Sequence, residues 1–431
     1  MPTKVPKAPH GWAILAMVGP SLIWCGEYIG SGEVILATRT GAMLGVAILW
    51  AVVLAIVLKF CIGVAGARWA AVTGEGMIDM FARMPGPGHW LVWLVLIIQL
   101  PAGIVSIGAL ASAAGTFLNS LLPLPWEHGK PIWGLIISTF AVSVAWTGRF
   151  DLLKKVMLGL VMIVVIGVWY VAIIVHPPVG DIFRGLFGLL PLHVPEWVAS
   201  DTGGTTVWRE LLPLTGWAAG GFASQVWYSY WVLGAGYGMA HGRGWGRPAD
   251  TSALAALKDE EVREVRGWCR MVSADATVAL VIGVMATIGF VLAGAAVLRP
   301  QQLLPDGEQT AVTLSNIFSG HWGRLGGTLF LVSGSAAMIS TLVGLLSGWP
   351  RLLADCVRIV YPPFARLSWK VQFRSFLMLF VITNLAAVMF FEPVRLIKLG
   401  GQLDGILLTP IQALALLVGF WFVLPRMIGR A

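Results

Sequence analysis

The chain has 431 residues, with Lys+Arg 29 against Asp+Glu 21, so only 12% are charged, about half the roughly 25% of soluble domains. Hydrophobic residues make up 57% and the mean hydropathy is +0.82, which excludes both a soluble shell and intrinsic disorder. Four cysteines in so long a chain exclude a disulfide framework, and the net charge of +8 has no meaning for partners until its distribution is known.

A window of about 19 residues, with roughly 20 apolar residues per crossing, predicts ten membrane spans. In chain order they are Gly11–Arg39, Leu44–Ala67, Trp90–Leu118, Ile132–Thr147, Val156–Val175, Leu211–Gly234, Val272–Leu298, Gly326–Ser347, Phe376–Phe390 and Ile397–Val423. With the N-terminus cytoplasmic, the inside segments hold 20 of the 29 positive residues, the outside segments hold eight, and Lys59 falls within the second span. That asymmetry predicts both termini inside, in a bacterial-type plasma (inner) membrane. The net charge is then topology, and no nucleic-acid partner is expected; the partners are the lipid bilayer and a small solute. The first span follows a basic N-terminus but lacks a small-x-small cleavage site, so it is read as retained. Cys25, Cys61, Cys269 and Cys356 lie in spans or on the reducing side and are expected as free thiols.

Two spans are interrupted. The first contains Gly26-Glu27-Tyr28-Ile29-Gly30-Ser31-Gly32-Glu33 and the sixth contains Gly216-Trp217-Ala218-Ala219-Gly220-Gly221-Phe222-Ala223-Ser224-Gln225. A broken backbone at membrane depth leaves polar groups that must face protein, water or a ligand. Interruptions in spans one and six of ten predict a single transmembrane domain over 1–431 built as a five-plus-five inverted repeat, 11–176 and 211–424, with a site between the broken helices. Close helix packing through small residues is the structural alternative. The embedded acids favour the site, because carboxylates in a bilayer are costly and mark ion paths.

Those acids are Glu27, Glu33 and Asp404, with Gln402 beside the last. Glu33 begins the second half of the first span, where it either turns to a cation, caps its own helix or pairs with Arg39. Glu27 is read as a gate residue in preference to a second ligand, and Lys59 as a fixed internal counter-ion in preference to a snorkelling side chain. The seven histidines (His10, His89, His128, His176, His193, His241 and His321) fall in loops or near span ends and are read as solvated. No nucleophile motif, H-E-x-x-H or phosphate loop is present, so an enzyme is not expected.

At the two breaks the sequence resembles the Nramp (natural resistance-associated macrophage protein) family of divalent-metal transporters. Gly19-Pro20 and the run Tyr28 to Glu33 stand where that family has G-P and Y-I-D-P-G-N, and Val72-Thr73-Gly74 follows the second span as it does there. The resemblance implies a LeuT-type fold, in an all-α integral membrane protein, and metal transport coupled to protons. It also places the family's aspartate and asparagine ligands at Gly30 and Glu33, its thioether at Phe222 and its histidine at Ser224, within a motif spanning Ala219 to Gln225. Gln402 matches a family glutamine near the ion. The soft sulfur is therefore absent, and the third span, Trp90 to Leu118, offers Gln99 but no acid for the usual proton path.

The reading that follows is a divergent Nramp-related symporter of a divalent cation, Mg²⁺ or Mn²⁺, working by alternating access without a cofactor. Its metal ligands would be Glu33, Asp404 and Gln402. Gly30, Ser31, Ala219, Phe222 and Gln225 complete the substrate site, and Glu27, Lys59 and Ser224 gate or couple it. The alternative is a transporter of a small organic solute, an amino acid or carboxylate, held by the Gly30-Ser31-Gly32 amides among Phe222, Trp227, Tyr228 and Tyr230. A non-transporting channel or sensor is the third class, disfavoured because no soluble sensory domain is seen.

Overall fold

The computed structural model describes residues 5–175, 178–202, 204–304, 310–390 and 401–429. The described residues are helical and contain no strand. Among the described residues seven helical stretches are long and apolar enough to cross a membrane: Gly32–Thr73, Trp90–Leu121, Gly129–Thr147, Phe150–Tyr170, Asp259–Gln301, Leu325–Val360 and Thr409–Met427. The remaining expected spans are the two broken ones, whose separate halves are short, and the ninth, seen as the helix Trp369–Phe390. The start of the expected tenth span, 397–400, lies outside the described residues.

Several helices outrun their apolar windows. The seventh span begins at Asp259 and not Val272, because Asp259, Glu260 and Glu261 favour a helix N-terminus and the Glu261 carboxylate accepts the Lys258 N–H at 3.1 Å. The eighth runs from Thr310 to Val360, 51 residues, against the expected Gly326–Ser347. Hydropathy registers the segment facing hydrocarbon, whereas a helix continues into water wherever caps and packing support it.

The first broken span starts at Pro20, whose fixed φ suits the first helical position, and its leading half is Pro20–Tyr28. The helix stops at Ile29, with ψ 87°, and resumes as a π-turn over Gly32–Ala37 that continues into Thr38–Leu44. Glycine is required at this crossing: a methyl on Gly30 would overlap the Thr341 hydroxyl, and one on Gly32 would press on Trp217. The sixth span consists of Val207–Trp217 and Phe222–Ala235. Between them Ala219 (φ 56°) and Gly220 (φ 76°) are both left-handed; for Ala219 this is strained backbone of the kind that concentrates at functional sites.

The helix Thr310–Val360 packs along Trp90–Leu121 and Phe150–Val175 and also touches both broken spans. The breaks thus face the third and eighth spans, and the fifth packs against the leading half of the first.

Candidate functional site

Both breaks open onto one cavity. It is lined from the first span by Glu27, Tyr28, Ser31 and Gly32, and from the sixth by Trp217, Gly220, Gly221, Ala223, Ser224 and Trp227. Ser106 and Leu110 of the third span and Thr341, Leu345 and Trp349 of the eighth close it. The lining contains one carboxylate, Glu27, three indoles and no His, Cys or Met.

Glu27 is 1% exposed and accepts a short hydrogen bond from the Ser224 hydroxyl, which in turn accepts the Trp24 indole N–H at 3.1 Å. The leading half of the first span is thereby joined to the trailing half of the sixth. Trp24 and Tyr228 stack at 4.3 Å on the same seam, and the Tyr28 hydroxyl donates to Ala279 O at 2.5 Å. On the far side of the breaks, Arg39 faces Glu210 at 3.9 Å, linking the other two halves. Arg39 therefore has Glu210, not Glu33, as its acidic neighbour. Gly344 sits against Glu27, where a methyl would overlap its Cβ. Overpacking of this kind costs about 1–3 kcal/mol against the roughly 1 kcal/mol that Ala gains over Gly in a helix. Gly344→Ala is accordingly expected to lower the thermal midpoint of the detergent-solubilised protein, measured by tryptophan fluorescence.

Glu33 is fully buried but does not line the cavity. Its Oε2 accepts the Gly30 N–H at 3.1 Å, capping its own half-helix, while Oε1 has no hydrogen-bond partner among the described residues. Ser31 lines the cavity; Gly30 instead backs onto Thr341, whose buried hydroxyl has no partner among the described residues. In the sixth span the Ala219 carbonyl accepts Gln225 Nε2 at 2.8 Å, so the main-chain oxygen expected to face a cation is already engaged within its own helix. Phe222 is turned away from the cavity and stacks on Phe81 at 5.9 Å. Its carbonyl lies 3.4 Å from Gln412 Nε2.

The expected trio Glu33, Gln402 and Asp404 is not assembled by the described residues. Gln402 is exposed where Glu33 is buried, and the Asp404 side chain lies outside the described residues. Among the described residues no group of three or more His, Cys, Asp or Glu is placed to hold a metal ion. Of the expected gating residues, Glu27 and Ser224 meet, and Lys59 reaches the sixth-span break, donating to Thr215 O (2.9 Å), Gly216 O and Gly220 O (2.9 Å). Of the aromatics expected in an organic pocket, Trp227 lines the cavity, Tyr228 bonds Asp275, and Tyr230 is buried elsewhere.

Asp275 of the seventh span was not among the expected residues. Its carboxylate accepts Gly19 N (2.9 Å), Ser21 N (2.9 Å), Ser21 Oγ (3.0 Å) and the Tyr228 hydroxyl (2.9 Å), fixing the start of the first span and the trailing half of the sixth together. Its signal was present, an acid inside an apolar run three residues past the expected start at Val272. A second buried network lies where the helix Leu49–Thr73 ends. Arg358 bonds both Asp355 and Asp79 at 2.6 Å; Glu75 holds Arg83 at 2.7 Å and the Ala249 N–H at 2.6 Å. Burial raises the Glu75 carboxyl above the usual carboxylate range against the pull of Arg83.

Residues 21–196 match the family model described as natural resistance-associated macrophage protein-like. Over 183 residues the chain is 24% identical to a divalent metal cation transporter, MntH, of Chromohalobacter salexigens, covering 41% of this chain and 40% of that protein. The curated relatives it matches are covered over less than half of their own length. Among solved structures, a mutant manganese transporter of Eremococcus coleocola superposes with a TM-score of 0.55 at 16% identity, covering 96% of this chain and 87% of that one. Mhp1, a nucleobase-cation-symport-1 family transporter with bromovinylhydantoin bound, superposes with a TM-score of 0.58 at 15% identity, covering 99% and 82%. At these identities the structures establish the fold, which is LeuT-type.

Proposed function

We propose, from the premise that this chain is a divergent relative of the Nramp family, that it is a secondary-active membrane transporter whose cargo carries positive charge and binds in the cavity between the broken first and sixth spans. The observation that carries this reading is Glu27, the one carboxylate in the lining, set among three indole rings. A buried carboxylate stabilises a cation through charge, and aromatic faces add to that attraction through their quadrupoles.

The cargo named for the metal-transporting relatives, a divalent cation, is the first reading. The lining supplies oxygen from Glu27, Ser31, Ser106, Ser224 and Thr341 and no sulfur or imidazole. Hard, oxygen-only coordination favours Mg²⁺, which retains several waters and needs few protein ligands, over thiophilic ions. The unpartnered Thr341 hydroxyl is suited to bond such a water. Transport would proceed by alternating access in a five-plus-five inverted repeat over 11–176 and 211–424, with both termini cytoplasmic, the broken helices rocking against the third, fifth and eighth spans.

A second reading is favoured by a different observation. Tyr28, Trp217, Trp227 and Trp349 give the cavity mostly apolar, aromatic walls with few polar groups, which is the character of a small-molecule site. A small organic solute with an ammonium group would pair with Glu27 and lie against the indoles, and the hydantoin-bound structural relative uses the same fold for an organic ligand. Reconstitution in liposomes separates the two. Uptake of Mg²⁺ and Mn²⁺ is to be compared with that of labelled amino acids and amines, with and without a pH gradient. Divalent-cation flux supports the first reading, and organic flux without cation flux replaces it with the second.

A further inference from the structure

A helix that stops inside a membrane leaves its last four carbonyls without partners, and every one of them requires a donor from elsewhere. For the leading half of the sixth span, Val207–Trp217, all four can be traced. Leu214 O accepts Ala218 N at 2.8 Å and Trp217 O accepts Gly220 N at 2.6 Å. The other two, Thr215 O and Gly216 O, both accept the Lys59 ammonium, which also binds Gly220 O across the break. Lys59 comes from the second span and is 5% exposed.

The crowding of the backbone explains why an ammonium fits there. A methyl on Gly216 would overlap Gly401 O, and a methyl on Gly220 would overlap the Ser224 hydroxyl. With Ala219 and Gly220 both left-handed, the chain curls so that Gly220 O returns toward the end of the helix it has just left. Three carbonyls converge on one point, and a point lined by carbonyls at the negative end of a helix dipole attracts a cation.

We propose that Lys59 is a tethered cation for the sixth-span break: its ammonium fills the carbonyl cage that an exchangeable monovalent ion would otherwise occupy, so that the break is held without any bound co-ion. The cage is therefore closed to the cargo as well. With Ala219 O taken by Gln225 and Gly220 O by Lys59, these two carbonyls of the break are committed before any solute arrives, leaving the first-span side and Glu27 to bind it. The proposal concerns the break and not the cargo, so it stands or falls separately from the functional reading.

The test is the thermal unfolding of the full chain in nanodiscs, followed by tryptophan fluorescence in choline chloride and in matched NaCl, KCl and methylammonium chloride. The parent protein sets the baseline in all four salts, including any stabilisation from a cation held in the Glu27 cavity. Lys59→Met removes the ammonium and leaves the carbonyls in place; it is expected to lose several degrees in choline and to regain part of that loss in at least one small cation. Lys59→Gln, which keeps a donor but no charge, is expected to show a smaller loss and the same direction of rescue, and it decides the matter where the Met variant does not fold. A shift by each small cation no larger in the folded variant than in the parent, or no loss in choline, would overturn the proposal; a cation held in the Glu27 cavity moves parent and variant alike.

Discussion

Asp275→Ala is expected to be one of the two most damaging single substitutions outside the cavity. It removes the acceptor from three buried donors at once, the amides of Gly19 and Ser21 and the Ser21 hydroxyl, and leaves the Tyr228 hydroxyl only its longer contact to Val272 O at 3.3 Å. A buried donor left unsatisfied costs about 1–3 kcal/mol, and though such terms do not add, the whole effect should reach about 3 kcal/mol or more. Two of the donors are backbone amides at the start of the first span, where the helix itself has no partner to offer. The loss should appear as a large fall in thermal midpoint and in recovered folded protein. Asp275→Asn, whose amide keeps one acceptor oxygen but turns a donor toward other donors, should fall between the parent and the Ala variant. An unchanged midpoint in Asp275→Ala would show that the four contacts do not hold the two broken spans.

Arg358→Met is the second large effect. The guanidinium is shared by Asp79 and Asp355, both nearly fully buried, and it ties the short helix Met77–Ala82 to the eighth span. Deleting the cation leaves two buried carboxylates facing each other uncompensated; breaking a buried pair from one side costs about 3–5 kcal/mol. The matching control is Arg366→Met at an exposed position, where the cost should be within about 0.5 kcal/mol. Denaturation of both variants in the same detergent measures the contrast, and equal midpoints would mean the network contributes nothing net. Because Phe81 of the same short helix stacks on Phe222, Arg358→Met is also expected to loosen the start of the trailing half of the sixth span.

The two breaks were readable because glycine and acid clusters stand out in apolar runs, and the same contrast exposed Glu27, Glu33 and Lys59. What each does was not readable. Whether Glu33 turns to the cavity or back to its own helix is set by side-chain packing that the sequence does not carry, and the structure places its Oε2 on Gly30 N. Asp275 carried the same signal but stood three residues past the expected start of its span, where it resembled an end residue; the helix actually begins 16 residues earlier. Thr341, Ser106 and Trp349 had no signal, since a hydroxyl or an indole in a membrane helix is ordinary and only the packing of the eighth span against the breaks gives it a role. At Phe222 the family motif supplied a position in the sequence but not a direction. With the backbone turning through Ala219 and Gly220, the ring leaves the cavity and the small Ala223 and Ser224 face it.

The central claim is that cargo binds at Glu27 between the broken spans. Its most direct test is initial-rate uptake of the transported cation into liposomes by Glu27→Gln, which retains the hydrogen bond from Ser224 and removes the charge. The predicted result is a fall of about tenfold or more, the equivalent of 1.4 kcal/mol, in a variant whose thermal midpoint stays close to the parent's. Parental flux in Glu27→Gln, together with loss of flux in Glu33→Gln, would contradict it and move the site to the trailing half of the first span.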